Sequence, residues 1–346
     1  MSSKLPKVLH LVESYGGGVA SVVSQYSKLA GFEHLLLARA RTKDLHSSQY
    51  PSGAGAIYSL SLFSFLKNWI SLRAVSLDIV HAHSSIAGLV ARVLPHPTAS
   101  VVYSPHAFAF EGHRRSIVRL ASLVVEKSLI KRTHVGVAVS QAEAFLFEKI
   151  KLPKTRIVLV PHALESAQSR KSAPLRRRVI SVGRVSFQKN PLAIVELKNA
   201  WFSKYPDSQV SFEWLGGGEP EIEHILTSSG VSVSGWVSNA QVQDALGSVS
   251  VLFHPARYEG LPMAVLESLA AGTPVLASDI PPHRNISGVS LFKDIADATG
   301  KLVRLMQEEN WLLESKKGQE SIRNSFNQKL QESQLQKAYS LAVENK

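Results

Sequence analysis

Short, unbroken apolar runs recur along the chain, and each is followed by a stretch with helical spacing. Lys7-Val-Leu-His-Leu-Val12 and residues 34–38, 78–83, 101–104, 135–139 and 157–160 read as strands. The runs are continuous rather than alternating, which marks strands covered on both faces of a parallel sheet. Between them, residues 19–29, 61–75, 86–94, 114–132 and 141–150 place apolar side chains at intervals of three and four, as helices do. Ser84, Ser85 and Ser140 stand where helix N-caps are expected. Residues 40–55 read as a polar loop and 164–178 as a polar linker.

The alternation then restarts. Residues 179–183, 210–215, 231–237, 249–253 and 273–277 read as strands, with helices over 191–204, 240–246 and 263–271. The C-terminal stretch is helical and polar. This order predicts an α/β chain of two doubly wound, Rossmann-like domains. Ligands of such sheets bind beyond the carboxyl ends of the strands. Gly16-Gly17-Gly18, His81, His83 and His106 all fall at that edge.

Composition narrows the chemistry. The 346 residues contain no cysteine, which excludes disulfides, zinc–thiolate sites, iron–sulfur clusters and thiol nucleophiles. No apolar run has the length of a membrane span, and residues 8–12 are too short for a signal-peptide core. The net charge is +12 and uneven: residues 1–170 carry 20 Lys and Arg against 9 Asp and Glu, whereas residues 171–346 carry 19 against 18. The basic first half suits an anionic surface such as membrane lipid, nucleic acid or a phosphorylated substrate. No helix-turn-helix, RNP-type aromatic pair or zinc pattern supports nucleic acid.

The densest chemistry lies in Arg257-Tyr-Glu-Gly-Leu-Pro-Met-Ala-Val-Leu-Glu267. Glu259 sits in a turn, Pro262 reads as the first residue of a helix, and Glu267 lies about one turn inside it. Free amides at a helix mouth suit an anion, and a nearby carboxylate suits hydroxyls. A molecule joining phosphate to polyol, such as a nucleotide sugar, has both.

These residues do not stand alone. Val8-Leu-His, Gly16-Gly-Gly18, His81-Ala-His83, Tyr103-Ser-Pro-His106, Ser181-Val-Gly-Arg184, Lys189-Asn190, Gly216-Gly-Gly218, Glu259-Gly-Leu-Pro, Glu267 and Ala271-Gly-Thr-Pro274 occur in that order. Together they resemble the retaining glycosyltransferases of family 4. The resemblance implies the GT-B fold, two Rossmann-like domains facing across a cleft. It implies an acceptor-side domain over 1–165, a linker over 166–178 and a nucleotide-sugar domain over 179–322. The helix 323–346 would pack back toward the first domain.

It also implies roles. Arg184 and Lys189 would hold the donor diphosphate, and Glu267 the ribose hydroxyls. Glu259 would hold hydroxyls of the transferred sugar, with amides of Gly260, Leu261 and Met263. Val237 would lie near the base, His106 would face the transferred sugar, and Gly17 and Gly18 would let the backbone approach phosphate or acceptor. The implied donor is a UDP- or GDP-sugar. The implied acceptor is a glycan, lipid-linked as in bacterial surface-polysaccharide or O-antigen synthesis. The protein would be cytoplasmic or peripheral on the inner membrane face, held to anionic lipid by Arg114, Arg115, Arg119, Lys127, Lys131 and Arg132. There is no Asp-x-Asp, so no metal or other cofactor is expected. A nucleotide-sugar epimerase, a phosphorylase or an inactive transferase-like subunit on the same fold are the alternatives. An epimerase needs further acid/base groups on the sugar. A phosphorylase needs a pyridoxal lysine.

Overall fold

The structure, a computed structural model of the chain, describes residues 5–40, 55–112, 116–164 and 177–344. It divides into two compact units. The first comprises Met1–Ala163 with Gln328–Lys346, and the second comprises Leu164–Asn327. Most of the 166–178 linker and most of the 40–55 loop lie outside the described residues, as do Arg114 and Arg115.

In the first unit the strands are β1 (Lys7–Tyr15), β2 (Glu33–Ala40), β3 (Gly55–Ser59), β4 (Ile79–His83), β5 (Ser100–Ser104), β6 (Val135–Ala138) and β7 (Arg156–Leu159). Its helices are α1 (Gly17–Tyr26), α2 (Leu62–Leu72), α3 (Ser85–Val93), α4 (Ala109–Gly112), α5 (Ser116–Leu129) and α6 (Gln141–Ile150). The sheet order is β3-β2-β1-β4-β5-β6-β7, and every pairing is parallel.

The second unit has β8 (Arg178–Val182), β9 (Ser211–Leu215), β10 (Ser232–Val233), β11 (Val251–His254), β12 (Val275–Ser278) and β13 (Val289–Phe292). Its helices are α7 (Leu192–Lys204), α8 (Pro220–Ser228), α9 (Asn239–Leu246), α10 (Met263–Ala270), α11 (Pro281–Arg284), α12 (Ile295–Leu305) and α13 (Glu308–Ser325). The order is β10-β9-β8-β11-β12-β13, again all parallel. The last helix, α14 (Gln328–Glu344), buries Leu335, Ala338, Tyr339 and Ala342 against Val8, Tyr26, Ile79, Val102 and Val137 of the first unit.

Both sheets are wound outward from a central strand, so the order reverses between β1 and β4 and again between β8 and β11. The connections leaving those strands diverge to opposite faces and open a crevice at the carboxyl edge. The chemically loaded segments sit there: Gly16–Gly18 after β1, Ser84 after β4, Gly183–Lys189 after β8 and His254 at the end of β11.

The structure departs from the sequence pattern in places with local causes. β3 is hidden because, among the described residues, it is an edge strand paired only with β2 and largely exposed, so it has no continuous apolar run. α8 buries only Leu226 and gives little periodic signal. The expected strand 231–237 stops at Val233, because Gly235 turns at φ 67° and pairs with Gly216 in an isolated antiparallel bridge. Gly17 and Gly18 open α1 rather than precede it, with Gly16 at the N-cap. Ser84 occupies the N-cap of α3 at φ 86° without a side-chain cap, whereas Ser140 caps α6 through Glu143 N.

The glycine run after β9 is where backbones meet most closely. Gly216 has φ 136°, and a Cβ there would stand 2.2 Å from the Gly183 carbonyl oxygen. At Gly218 it would stand 2.1 Å from that of Val185. A Cβ at Gly300, inside α12, would meet nothing within 4 Å among the described residues. Gly218→Ala should therefore destabilise the protein by about 2 kcal/mol or more, and Gly300→Ala should stabilise it by about 0.5–1 kcal/mol. Urea midpoints of the two variants check this; equal midpoints would refute the close approach.

Candidate active site

The second unit builds its site from the loops after β8 and β11. After β8 the chain passes Gly183 and exposed Arg184, then a 3-10 turn over Phe187–Lys189. Asn190 ends that turn in the left-handed region, φ 51°, and redirects the chain into α7. The loop after β11 is laced onto it. Arg257 N–H donates to Gln188 O at 2.8 Å, and the Arg257 guanidinium donates to Asn190 Oδ1 at 2.6 Å while lying 4.6 Å from the Phe187 ring centre. Gln188 Nε2 donates to Tyr258 O at 3.2 Å.

This lacing brings Lys189 onto Glu259. Lys189 Nζ donates to Glu259 Oε1 at 2.6 Å, and His254 Nε2 reaches the same oxygen at 3.3 Å. Burial pushes the Glu259 carboxyl upward, but Lys189 and His254 outweigh it and hold the group at about 2. Glu267, on α10, has the opposite character. Burial raises its carboxyl to about 7, and Lys189 only partly opposes the rise. One lysine thus influences two acids, of which one is held ionised and the other can hold a proton near neutrality. Arg184 is close enough for its charge to act on the Tyr258 hydroxyl.

The mouth of α10 differs in detail from expectation. Pro262 is the N-cap (φ −79°, ψ 79°), not the first helical residue. The Met263 amide is already used, donating to Leu261 O at 2.9 Å, so it cannot hold a ligand hydroxyl as it stands. The Gly260 and Leu261 amides have no protein acceptor among the described residues. Val237 is half-buried and follows Trp236, an indole 64% exposed that lies against Gly217.

Sequence reasoning missed His254 and His283. His254 carries a signal in retrospect, a histidine ending a buried strand as His83 does. His283 Nδ1 bonds Ser278 O at 2.7 Å, its ring meets that of His254 edge-on at 5.2 Å, and its buried Nε2 has no partner among the described residues.

In the first unit, His106 follows β5 in the left-handed region at φ 53°, and Ala107 is at φ 107°. Non-glycine residues hold such conformations only where surroundings impose them. Glu143 imposes this one: its carboxylate accepts from Ala107 N at 3.0 Å and from Val139 N at 2.8 Å. Ser140-x-x-Glu143 has the spacing of a capping box, yet the glutamate reaches into the His106 turn instead. Gly17 and Gly18 lie in the first turn of α1, where amides lack intrahelical acceptors. His10, His81 and His83 place one nitrogen each within 4.8 Å of the others, as a three-histidine metal site would. All six of their ring nitrogens are already hydrogen-bonded, so a metal would have to displace those bonds.

Comparison with known proteins fits this geometry. Residues 17–168 match the model for Glycosyltransferase Family 4, and residues 176–308 match that for Glycosyl transferases group 1. The chain is a family 4 glycosyltransferase. It is similar to a UDP-Gal:alpha-D-GlcNAc-diphosphoundecaprenol alpha-1,3-galactosyltransferase of Escherichia coli, 25% identical over 304 residues and 78% of each chain. It is also similar to an uncharacterized protein of the Klebsiella pneumoniae cps region, 25% identical over 86% of this chain and 85% of that one. The glycosyltransferase shares its fold with sucrose-phosphate synthase of Thermosynechococcus elongatus, with TM-score 0.76, 18% identity and 99% and 100% of the two chains covered. It shares it too with HepE of Anabaena, solved with UDP and glucose, with TM-score 0.77, 13% identity and 97% and 99% covered. The fold is GT-B.

Glu267 generates a pH test. Its folded pKa, about 7, lies above the ordinary 4.5, so its stability contribution is full below 4.5 and is lost as pH rises through about 7. Glu267→Gln should therefore be more stable than the parent at pH 8, by on the order of 2 kcal/mol, and equal to it near pH 4.5. Melting curves at both pH values check this, and an unchanged difference between them would contradict the raised pKa.

Proposed function

We propose that the enzyme transfers a hexose, with retention at the anomeric carbon, from a UDP- or GDP-sugar to a lipid-linked glycan during surface-polysaccharide or O-antigen assembly. The observation that carries the donor side is the joint grip of Lys189 and His254 on Glu259, with Glu267 within the field of the same lysine. In the Michaelis complex the donor diphosphate takes Lys189 and Arg184 as counter-charges. Glu259, held anionic, accepts from hydroxyls of the hexose, and Glu267 accepts from the ribose. The exposed Trp236 offers a stacking face for the base beside Val237.

A retaining hydrolase pairs two close carboxylates, one of them a nucleophile. Glu259 is poorly suited to that role, because a carboxylate paired to Lys189 at 2.6 Å is stabilised against attack. The reading is a front-face displacement. The departing diphosphate takes the acceptor's proton, and Lys189 and Arg184 stabilise the charge that grows on the leaving oxygen. No metal takes part in that step, since side-chain cations meet the charge.

The names of two relatives support the acceptor class, one acting on a diphosphoundecaprenol-linked sugar and one encoded in a cps region. The surface of α5 supports a membrane-facing role. Ile117, Leu120 and Val124 are 83%, 61% and 55% exposed at helical spacing, next to exposed Arg119, Lys127 and Lys131. An apolar stripe with basic flanks suits an anionic bilayer surface. Arg132 is exposed as well, and its Nη1 donates to Arg92 O at 2.7 Å at the end of α3. No helix among the described residues is long and apolar enough to cross a membrane.

Two outcomes are expected. With a nucleotide-sugar that raises Tm, Lys189→Ala and Glu259→Gln should each lower kcat/KM by about 100-fold or more, EDTA should leave turnover intact, and an α-linked donor should give an α-linked product. A β-linked product or an EDTA-sensitive rate would overturn the mechanism. In liposome flotation, the parent should bind anionic vesicles and neutral ones weakly, and the Ile117→Ser, Leu120→Ser, Val124→Ser variant should bind neither. Equal binding of parent and variant would remove α5 from the membrane contact.

A further inference from the structure

Four imidazoles of the first unit form one hydrogen-bonded row. His106 Nε2 lies 3.0 Å from His83 Nδ1, His83 Nε2 lies 3.1 Å from His10 Nδ1, and His10 Nε2 lies 3.1 Å from His34 Nδ1. His34 Nε2 lies 3.0 Å from Leu29 O, where the row ends. The residues come from β1, β2, β4 and the turn after β5. The register pairs His10 with His81 across β1 and β4, and pairs residues 8–12 with 34–38 across β1 and β2. His81 stands beside the row, its ring stacked on His83 at 4.0 Å and its nitrogens bonded to Tyr339 and Ser104.

The terminal partner decides the direction of every bond. A carbonyl oxygen only accepts, so His34 must carry its proton on Nε2. A neutral His34 then presents a lone pair on Nδ1, so His10 donates from Nε2. By the same step His83 donates to His10 and His106 donates to His83. Each ring uses its single N–H, and no proton is left over. All five histidines here are held neutral near pH 7: burial lowers each, and mutual repulsion lowers His10, His81 and His83 further. His106 falls to about 4 through burial and the nearby His162.

We infer that His34, His10 and His83 are positioning residues that lock His106 in its Nε2–H tautomer, so that His106 offers a ligand only the Nδ1 lone pair and selects a hydroxyl that donates to it. The inference rests on the transferase reading for the identity of that hydroxyl, a sugar hydroxyl, but not for the tautomer. The row is a lock and not a proton wire, because its buried end is a carbonyl, which takes up no proton. Reversing the row would set the bare Nε2 of His34 against the lone pairs of Leu29 O and leave both unpaired. No protein group among the described residues pairs with His106 Nδ1, and the turn that presents His106 is held by Glu143.

The test is nitrogen NMR on the full-length protein labelled with 15N-histidine, with His106 assigned by its loss in His106→Gln. In the parent, His106 should show a protonated Nε2 and an unprotonated Nδ1. His34→Leu removes the terminal anchor and should give a mixture of both tautomers. His34→Gln, which can donate to Leu29 O and accept from His10, should restore the single form. Turnover should fall by roughly threefold to tenfold in His34→Leu, the worth of one hydrogen bond, and return with His34→Gln. A protonated Nδ1 in the parent overturns the lock, as does a single unchanged tautomer in His34→Leu. Altered tautomers with unaltered turnover overturn the selecting role. If no nucleotide-sugar is turned over at all, the transferase reading fails while the spectra still decide the tautomer. If His34→Leu does not fold, the parent and His34→Gln spectra decide.

Discussion

The ion pair between Lys189 and Glu259 is the interaction on which the second unit's chemistry depends. A carboxylate as buried as Glu259 is costly to ionise unless a partner charge and further hydrogen bonds meet it. Lys189 and His254 meet it, and they do so only because the loops after β8 and β11 are tied together by Arg257 and Gln188. Burial leaves Glu267 in a different state on the next helix, because Lys189 only partly opposes it there. Two acids eight positions apart in the chain therefore carry different protonation preferences, set by environment and not by residue type.

The first unit handles burial in the opposite way. Among the described residues no lysine or arginine acts on its central histidines, which are kept neutral, so that hydrogen bonds rather than charges organise them. A buried polar network is stable when every member is satisfied. Here His10, His34, His81 and His83 are satisfied within the protein, and the spare capacity collects at His106, in a strained turn at the sheet's carboxyl edge. Charge in one unit and tautomeric order in the other both present defined donors and acceptors at a doubly wound sheet's switch point.

Several details follow from backbone geometry that no pattern of residue types conveys. The Met263 amide is taken by Leu261 O because Pro262 adopts ψ 79° at the N-cap, which folds the chain into a tight turn before α10 begins. Arg132 belongs to a basic stretch but spends its guanidinium on the carbonyls that end α3. Glu143 has the spacing of a capping box but accepts from Val139 N rather than Ser140 N, and it also supports a turn 36 residues away. In each case a local signal was real and a closer geometric partner prevailed.

By itself the sequence determined the class of fold, because continuous apolar runs separated by helical spacing are compatible only with a covered parallel sheet. It also placed Arg184 and Lys189 in the loop after one strand and Glu259 in the turn after another, with Glu267 about one turn inside the helix that follows. It could not determine which of these groups touch, which amides are free, or which acid is ionised. Nor could it reveal that His34, in a run that read as a plain strand, closes a row reaching His106. Those properties depend on distances of about 3 Å between residues remote in sequence, where a tenth of the chain's length means nothing and the direction of one carbonyl means much. Only the tertiary structure sets such distances, because desolvation and hydrogen-bond direction are properties of the packed neighbourhood and not of the residue.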